Sequence, residues 1–255
     1  MVRYYNELTR LEMEQVDKDE TVVMIPVGAL EQHGNQCPLG TDEIIAEGTA
    51  RRIKEALDRE IPDYPMLIFP LIPVGLSTEH VNFCGSVTLK PDTFYHVLYD
   101  ICKGLAHHGF RKIAILNCHG GNSPIIQVLS REVRSELGIA VFIINCGAFF
   151  GNQAVKDTVT PGNIWDFHGG EMETSMVLAE RPETVKLETS EAGIPRKFMG
   201  NKTSPYMARS LLAGFQKSGR PRTESPSESA AIQAGRRRRR ATRSTTALWS
   251  RSFQG

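Results

Sequence analysis

Lys112-Ile-Ala-Ile-Leu-Asn117, followed at once by Cys118-His-Gly-Gly-Asn122 and by a helix-forming stretch opened by Pro124, is the segment that decides the fold. Its apolar centre does not alternate with polar residues, so it reads as a strand buried on both faces. The two glycines make a turn, and a proline near the start of a helix gives up an N–H that would have had no partner there. A further apolar, β-branched run, Ala140–Asn145, follows the helix that ends near Leu137. Strand, helix and strand in that order make a crossover unit, and crossover units build parallel sheets.

The same alternation extends outward from this unit. Thr21–Val27 and Met66–Leu71 read as two more buried strands. Asp42–Arg59 reads as an amphipathic helix with Ile45, Thr49, Ile53, Ala56 and Leu57 at helical spacing, and Lys90-Pro91 opens another running to about His108. Thr9-x-x-Glu12 fits a capping box, and a last helix is expected from Glu171 to about Arg181. The expectation is an α/β fold, three-layer α/β/α around a mostly parallel central sheet, formed by residues 1–200 as one domain.

Composition separates that body from the tail beyond it. Residues 1–200 carry 18 basic and 27 acidic side chains, whereas residues 201–255 carry 12 and 2. An acidic body suits a small-molecule enzyme and makes nucleic acid an unexpected partner. The tail, with its uninterrupted Arg236–Arg240, is expected to be disordered, either as a basic arm or as sequence read out of frame from a point between Met199 and Glu224. No run approaches the roughly 18 apolar residues of a membrane helix. Five scattered cysteines lack C-x-x-C spacing, which argues against a disulfide framework and for a cytoplasmic setting.

Chemistry concentrates in the loops after the strands. Glu31 and His33 are two residues apart in Gly28-Ala-Leu-Glu-Gln-His-Gly34, so an extended backbone would point both to one side. Asp42 opens the next helix, and His119 follows the strand of the opening segment, where ligands gather in doubly wound sheets. Carboxylates and imidazoles suit zinc, manganese or ferrous iron. The plainer alternatives are a helix cap at Thr41 or Asp42, solvated loop residues, and an ordinary turn at Gly120-Gly121. His168-Gly-Gly-Glu171-Met-Glu173 offers a proton-transfer group beside further carboxylates, or simply acids favoured by a helix dipole. Glu79-His80 lies in another loop and could line a pocket. An esterase oxyanion loop would require a G-x-S-x-G elbow, which the chain lacks.

In order along the chain, PVGALEQHG with LGTD, then EH, NCHGGN and HGGEMETS resemble the creatininase family of metal-dependent hydrolases, over roughly Leu8–Glu188. The resemblance implies a C–N bond hydrolase acting on a small cyclic amide or formamide. Creatinine amidohydrolase itself, a lactonase-type relative and a non-catalytic one are the alternatives. It implies Glu31, His33, Asp42 and His119 as ligands, with Asp42 bridging two ions, and His168 near the substrate. The ion would be zinc first, with manganese or iron as alternatives, one or two per chain. Gly121 stands where creatininases place a ligand Glu, so Glu171 is inferred to supply that carboxylate and to act beside His168. His80, Gly120, Gly121 and Trp165 are expected to contact substrate, although Trp165 is displaced by one residue from the creatininase Trp. A homo-oligomer, a hexamer in the family, is implied as well.

Overall fold

Every residue of the strand Val22–Val27 (β2) except its first is buried, which requires cover on both faces of the sheet. The computed structural model describes residues 2–146 and 168–191. Within them five parallel strands run in the order β1-β3-β2-β4-β5, where β1 is Arg3–Tyr4, β3 Met66–Ile68, β4 Lys112–Asn117 and β5 Ala140–Asn145. Helix Thr41–Glu60 (α2) connects β2 to β3, Pro91–His107 (α3) connects β3 to β4, and Ser123–Leu137 (α4) connects β4 to β5. The fold is a three-layer α/β arrangement around a parallel sheet, as expected. The described residues fall into two units. The first holds residues 2–30, 42–77 and 87–146, and the second 31–41, 78–86 and 168–191.

The core of the first unit follows from helical periodicity meeting apolar strands. Phe94, Leu98, Cys102 and Leu105 form one stripe of α3, and Ile126, Leu129 and Val133 one of α4. Both stripes pack with Val23, Ile25 and Val27 of β2 and with Ile113 and Ile115 of β4. β3 stops at Ile68 rather than at the expected Leu71 because Pro70 has no N–H to give the ladder. Pairing resumes beyond it, where the Ile72 amide donates to Pro26 O (2.9 Å).

Register also explains a departure from the cysteine reading. Asn117 of β4 is the partner of Asn145 of β5, so the next residue of each strand, Cys118 and Cys146, meets the other. They are joined as a disulfide with Cα atoms 5.0 Å apart, while Cys37, Cys84 and Cys102 are thiols. Spacing along the chain carries no such information, since the two cysteines are 28 residues apart. Among the described residues no helix is long and apolar enough to cross a membrane.

The capping box forms as read at the start of Arg10–Glu14 (α1), with Thr9 and Glu12 bonded reciprocally. The Thr9 amide, and after it the Arg3 guanidinium, hold the Glu12 carboxyl down to about 2 from its ordinary 4.5. A folded value below the unfolded one means that the cap stabilises above pH 4.5 and loses its contribution as pH falls towards 2. An NMR titration of the Glu12 side-chain carboxyl is expected to show this low midpoint. A midpoint at the ordinary carboxylate value would mean the cap is open in solution.

Candidate metal centre

Within the first unit, Asp42 and His119 are both buried. Asp42 lies in the first turn of α2, where the helix dipole favours a carboxylate. His119 leaves β4 in extended conformation just before the short turn Gly120–Asn122. Its Nε2 lies 2.5 Å from the carbonyl of Leu76, which accepts the ring proton. In the neutral ring Nδ1 is then the bare nitrogen, and it faces Asp42 Oδ2 at 3.1 Å.

Asparagines hold this corner. Asn122, fully buried, accepts from the Leu76 amide on Oδ1 (2.8 Å) and donates to Gly28 O (3.0 Å) and Asn117 Oδ1 (3.2 Å). Asn117 in turn donates to Ser123 Oγ and Asn145 Oδ1 and accepts from the His119 amide. The segment carrying Leu76, the end of β2 and the His119 turn are thus tied at one amide. Gly75 is glycine for the same reason: a Cβ there would meet Asn122 Oδ1 and lie 2.7 Å from Gly28 O.

The second unit gathers three imidazoles around one carboxylate. Glu31 Oε1 lies 3.9 Å from His33 Nε2, 3.6 Å from His80 Nε2 and 3.5 Å from His168 Nδ1. His33 donates from Nδ1 to the Glu31 carbonyl (3.1 Å), which leaves Nε2 facing Glu31 and, also at 3.9 Å, Glu173 Oε2. His168 sends Nε2 to the Gln32 carbonyl (2.5 Å), leaving Nδ1 for Glu31. His80 stacks on His168, ring centroids 4.0 Å apart and planes at 15°. Gly169 has φ of +58° and sits against the His33 backbone, where a Cβ would come within 2.7 Å of its carbonyl carbon.

These placements sort the expected residues. Glu31, His33, His80 and His168 share one cluster, and Asp42 and His119 form a pair. His80, expected to contact substrate, is buried within the cluster. Glu171 is buried at the start of helix Glu171–Glu180 (α5), and the carboxylate of Glu173, two residues on, lies 3.9 Å from His33 Nε2. Glu173 also accepts from the Gly169 amide. Gly120 and Gly121 lie in the turn after His119, and a Cβ at Gly120 would meet nothing, so close backbone approach does not demand glycine there. Trp165 and the tail 201–255 lie outside the described residues.

A family model described as creatininase, creatinine amidohydrolase, matches residues 6–246. The chain belongs to the creatininase family. The match runs past Arg236–Arg240, residues whose composition sets them apart from the body. A creatinine amidohydrolase of Pseudomonas putida is 31% identical over 201 residues, covering 72% of this chain and 74% of that protein. A mycofactocin precursor peptide peptidase of Mycobacterium tuberculosis is 31% identical over 191 residues, 73% of this chain and 69% of that one. Among solved structures, one described as "Creatininase Mn" has a TM-score of 0.68 and 25% identity, covering 97% of this chain and 96% of that one. The reaction class follows from membership: this creatininase-family protein is a metal-dependent hydrolase of C–N bonds.

Proposed function

We propose that the protein hydrolyses a small cyclic amide or formamide, using divalent ions held by Glu31, His33 and Glu173, with Glu171 in the same helical turn, and by Asp42 and His119. One observation carries the reading. His33 and His119 each give one ring proton to a backbone carbonyl and turn the other nitrogen towards a carboxylate oxygen 3.1–3.9 Å away. Two lone pairs facing each other repel unless a cation or proton lies between. Ligands about 2.1 Å from a tetrahedral zinc are separated by roughly 3.4 Å, so the spacing fits a shared ion. The donors are nitrogen and carboxylate oxygen, which suits zinc, manganese and iron alike.

When bound, such an ion supplies a water of lowered pKa and polarises the scissile carbonyl. The chain's own residues do the rest. His168, with Nδ1 facing Glu31 and its other nitrogen fixed, is placed to carry a proton to the departing nitrogen. His80, backing His168, and the turn at Gly120 and Gly121 would border the substrate, with Trp165 as a further contact. The P. putida relative is named for creatinine, a cyclic amide, and the M. tuberculosis relative for a precursor peptide, and amide hydrolysis unites the two. Gly121 in place of a ligand carboxylate separates this chain from creatininase itself. We further propose a homo-oligomer, as the family resemblance implies, in a cytoplasmic setting that the three thiols suit and the Cys118–Cys146 disulfide does not itself favour.

The test is a panel of creatinine, other cyclic amides, formamides and lactones, each tried with zinc-, manganese- and iron-reconstituted protein. Amide or formamide hydrolysis that a chelator abolishes is expected. Turnover of lactones alone, or full activity after metal removal, would defeat the reading.

A further inference from the structure

Gln32 stands between two proposed ligands and has no charge of its own, yet it contacts both stacked histidines. Its carboxamide nitrogen lies 3.1 Å from His80 Nδ1, and its orientation is fixed because Oε1 accepts from the Gly34 amide at 3.0 Å. An amide nitrogen only donates, so His80 Nδ1 must be the bare nitrogen and the ring proton sits on Nε2, towards Glu31 Oε1. The His168 ring is fixed by the same residue through a different group. Its Nε2 lies 2.5 Å from the Gln32 carbonyl and 3.0 Å from the Gln32 amide nitrogen. A ring nitrogen cannot donate to the carbonyl and accept from the carboxamide at once, and the shorter contact, to a group that only accepts, makes His168 Nε2 the donor.

We propose that Gln32 is a positioning residue: its carboxamide locks the ring and tautomer of His80, which then backs His168 as a parallel stacked plate and keeps His168 Nδ1 turned towards Glu31. The proposal rests on the hydrolase reading above, in which His168 transfers the proton. Rotation of His168 about its side-chain bonds is opposed by the His80 ring stacked 4.0 Å away, and that ring is held at its Nδ1 by Gln32. A carboxamide is the right group for the task because it donates at one end while accepting from the Gly34 amide at the other.

The backbone carbonyl survives any substitution of the side chain, which supplies an internal control. In zinc-loaded protein carrying 15N-histidine, long-range 1H–15N spectra of the wild type should show His80 protonated on Nε2 and His168 protonated on Nε2. Gln32→Glu keeps the acceptor for the Gly34 amide but replaces the donor by an oxygen. The His80 proton should then move to Nδ1 while His168 is unchanged. Gln32→Leu should leave His80 as a mixture of the two forms, with zinc content and melting temperature near those of the wild type. On any substrate the panel identifies, both variants should lose kcat about 10–100-fold, the usual scale of outer-shell effects, with KM within about twofold. An unmoved His80 proton in Gln32→Glu, or equal changes at His80 and His168, overturns the proposal. A panel without turnover would count against the hydrolase reading alone, because the tautomer exchange is read without substrate.

Discussion

His33→Ala is expected to fold, to bind less metal than the wild type, and to lose hydrolytic activity by about a thousandfold or more. The imidazole is buried and faces two carboxylates, Glu31 and Glu173, each 3.9 Å from Nε2. Alanine removes the nitrogen donor between them and leaves two acids facing each other. Such a site repels its own members without an ion and holds an ion with one ligand fewer. Metal analysis of purified wild type and variant at equal protein concentration reads the first effect. Thermal melting reads it independently. A ligand present at 100 times its dissociation constant stabilises a folded protein by about 2.7 kcal/mol, so added zinc should raise the wild-type melting temperature by several degrees and the variant's by much less. If His33→Ala keeps the wild-type metal content and the same metal-dependent rise in melting temperature, His33 is not a ligand. Loss of activity with metal retained would instead place the histidine on the substrate side of the chemistry.

How far such residues could be found from the sequence depended on whether their surroundings were local. β2 and β4 were legible because a strand covered on both faces must be apolar throughout, and such a run is visible without any partner; β5, half-buried with Phe142 exposed, was legible from its β-branched and aromatic composition. β1 was not: Arg3 and Tyr4 are one charged and one aromatic residue whose strand character comes only from pairing with Leu67 and Ile68. Glu31 and His33 were legible from their spacing, and His119 from its place after a strand. His80 was legible as a pocket residue, but its burial was not, because that depends on stacking against His168 from a distant loop. The sequence placed the ligand carboxylate at Glu171, but Glu173 in the same helical turn differs from it only in direction, and direction is set by how α5 is anchored. The Glu173 carboxylate is drawn back to the Gly169 amide and so towards His33. Gln32 carried no signal at all, because a neutral amide between two charged candidates is indistinguishable from a spacer until its partners are known. The Cys118–Cys146 pair belongs to the same class, a consequence of strand register alone.

Asn122→Ala should destabilise the protein by about 3 kcal/mol, although Asn122 binds neither metal nor substrate in this reading. Truncation leaves the Leu76 amide, the Gly28 carbonyl and one lone pair of Asn117 without their buried partner, and water has no ready route to a side chain that is fully enclosed. Each such loss costs on the order of 1–3 kcal/mol, and the three are less than additive because the segments relax together. For a chain of this size the melting temperature should fall by roughly 6–12 °C. Ser130→Ala, which removes an exposed hydroxyl bonded to Gln127 O, should change it by less than about 2 °C and serves as the control. A second consequence separates this account from general loosening. Leu76 receives the His119 ring proton on its carbonyl while Asn122 holds its amide, so release of Leu76 frees the histidine that faces Asp42. Zinc affinity should therefore fall about tenfold or more in Asn122→Ala, measured well below its melting temperature, and stay unchanged in Ser130→Ala. An Asn122→Ala protein that melts with the wild type, or one that melts early yet binds zinc at full affinity, would mean that the asparagine network and the metal ligands are held independently.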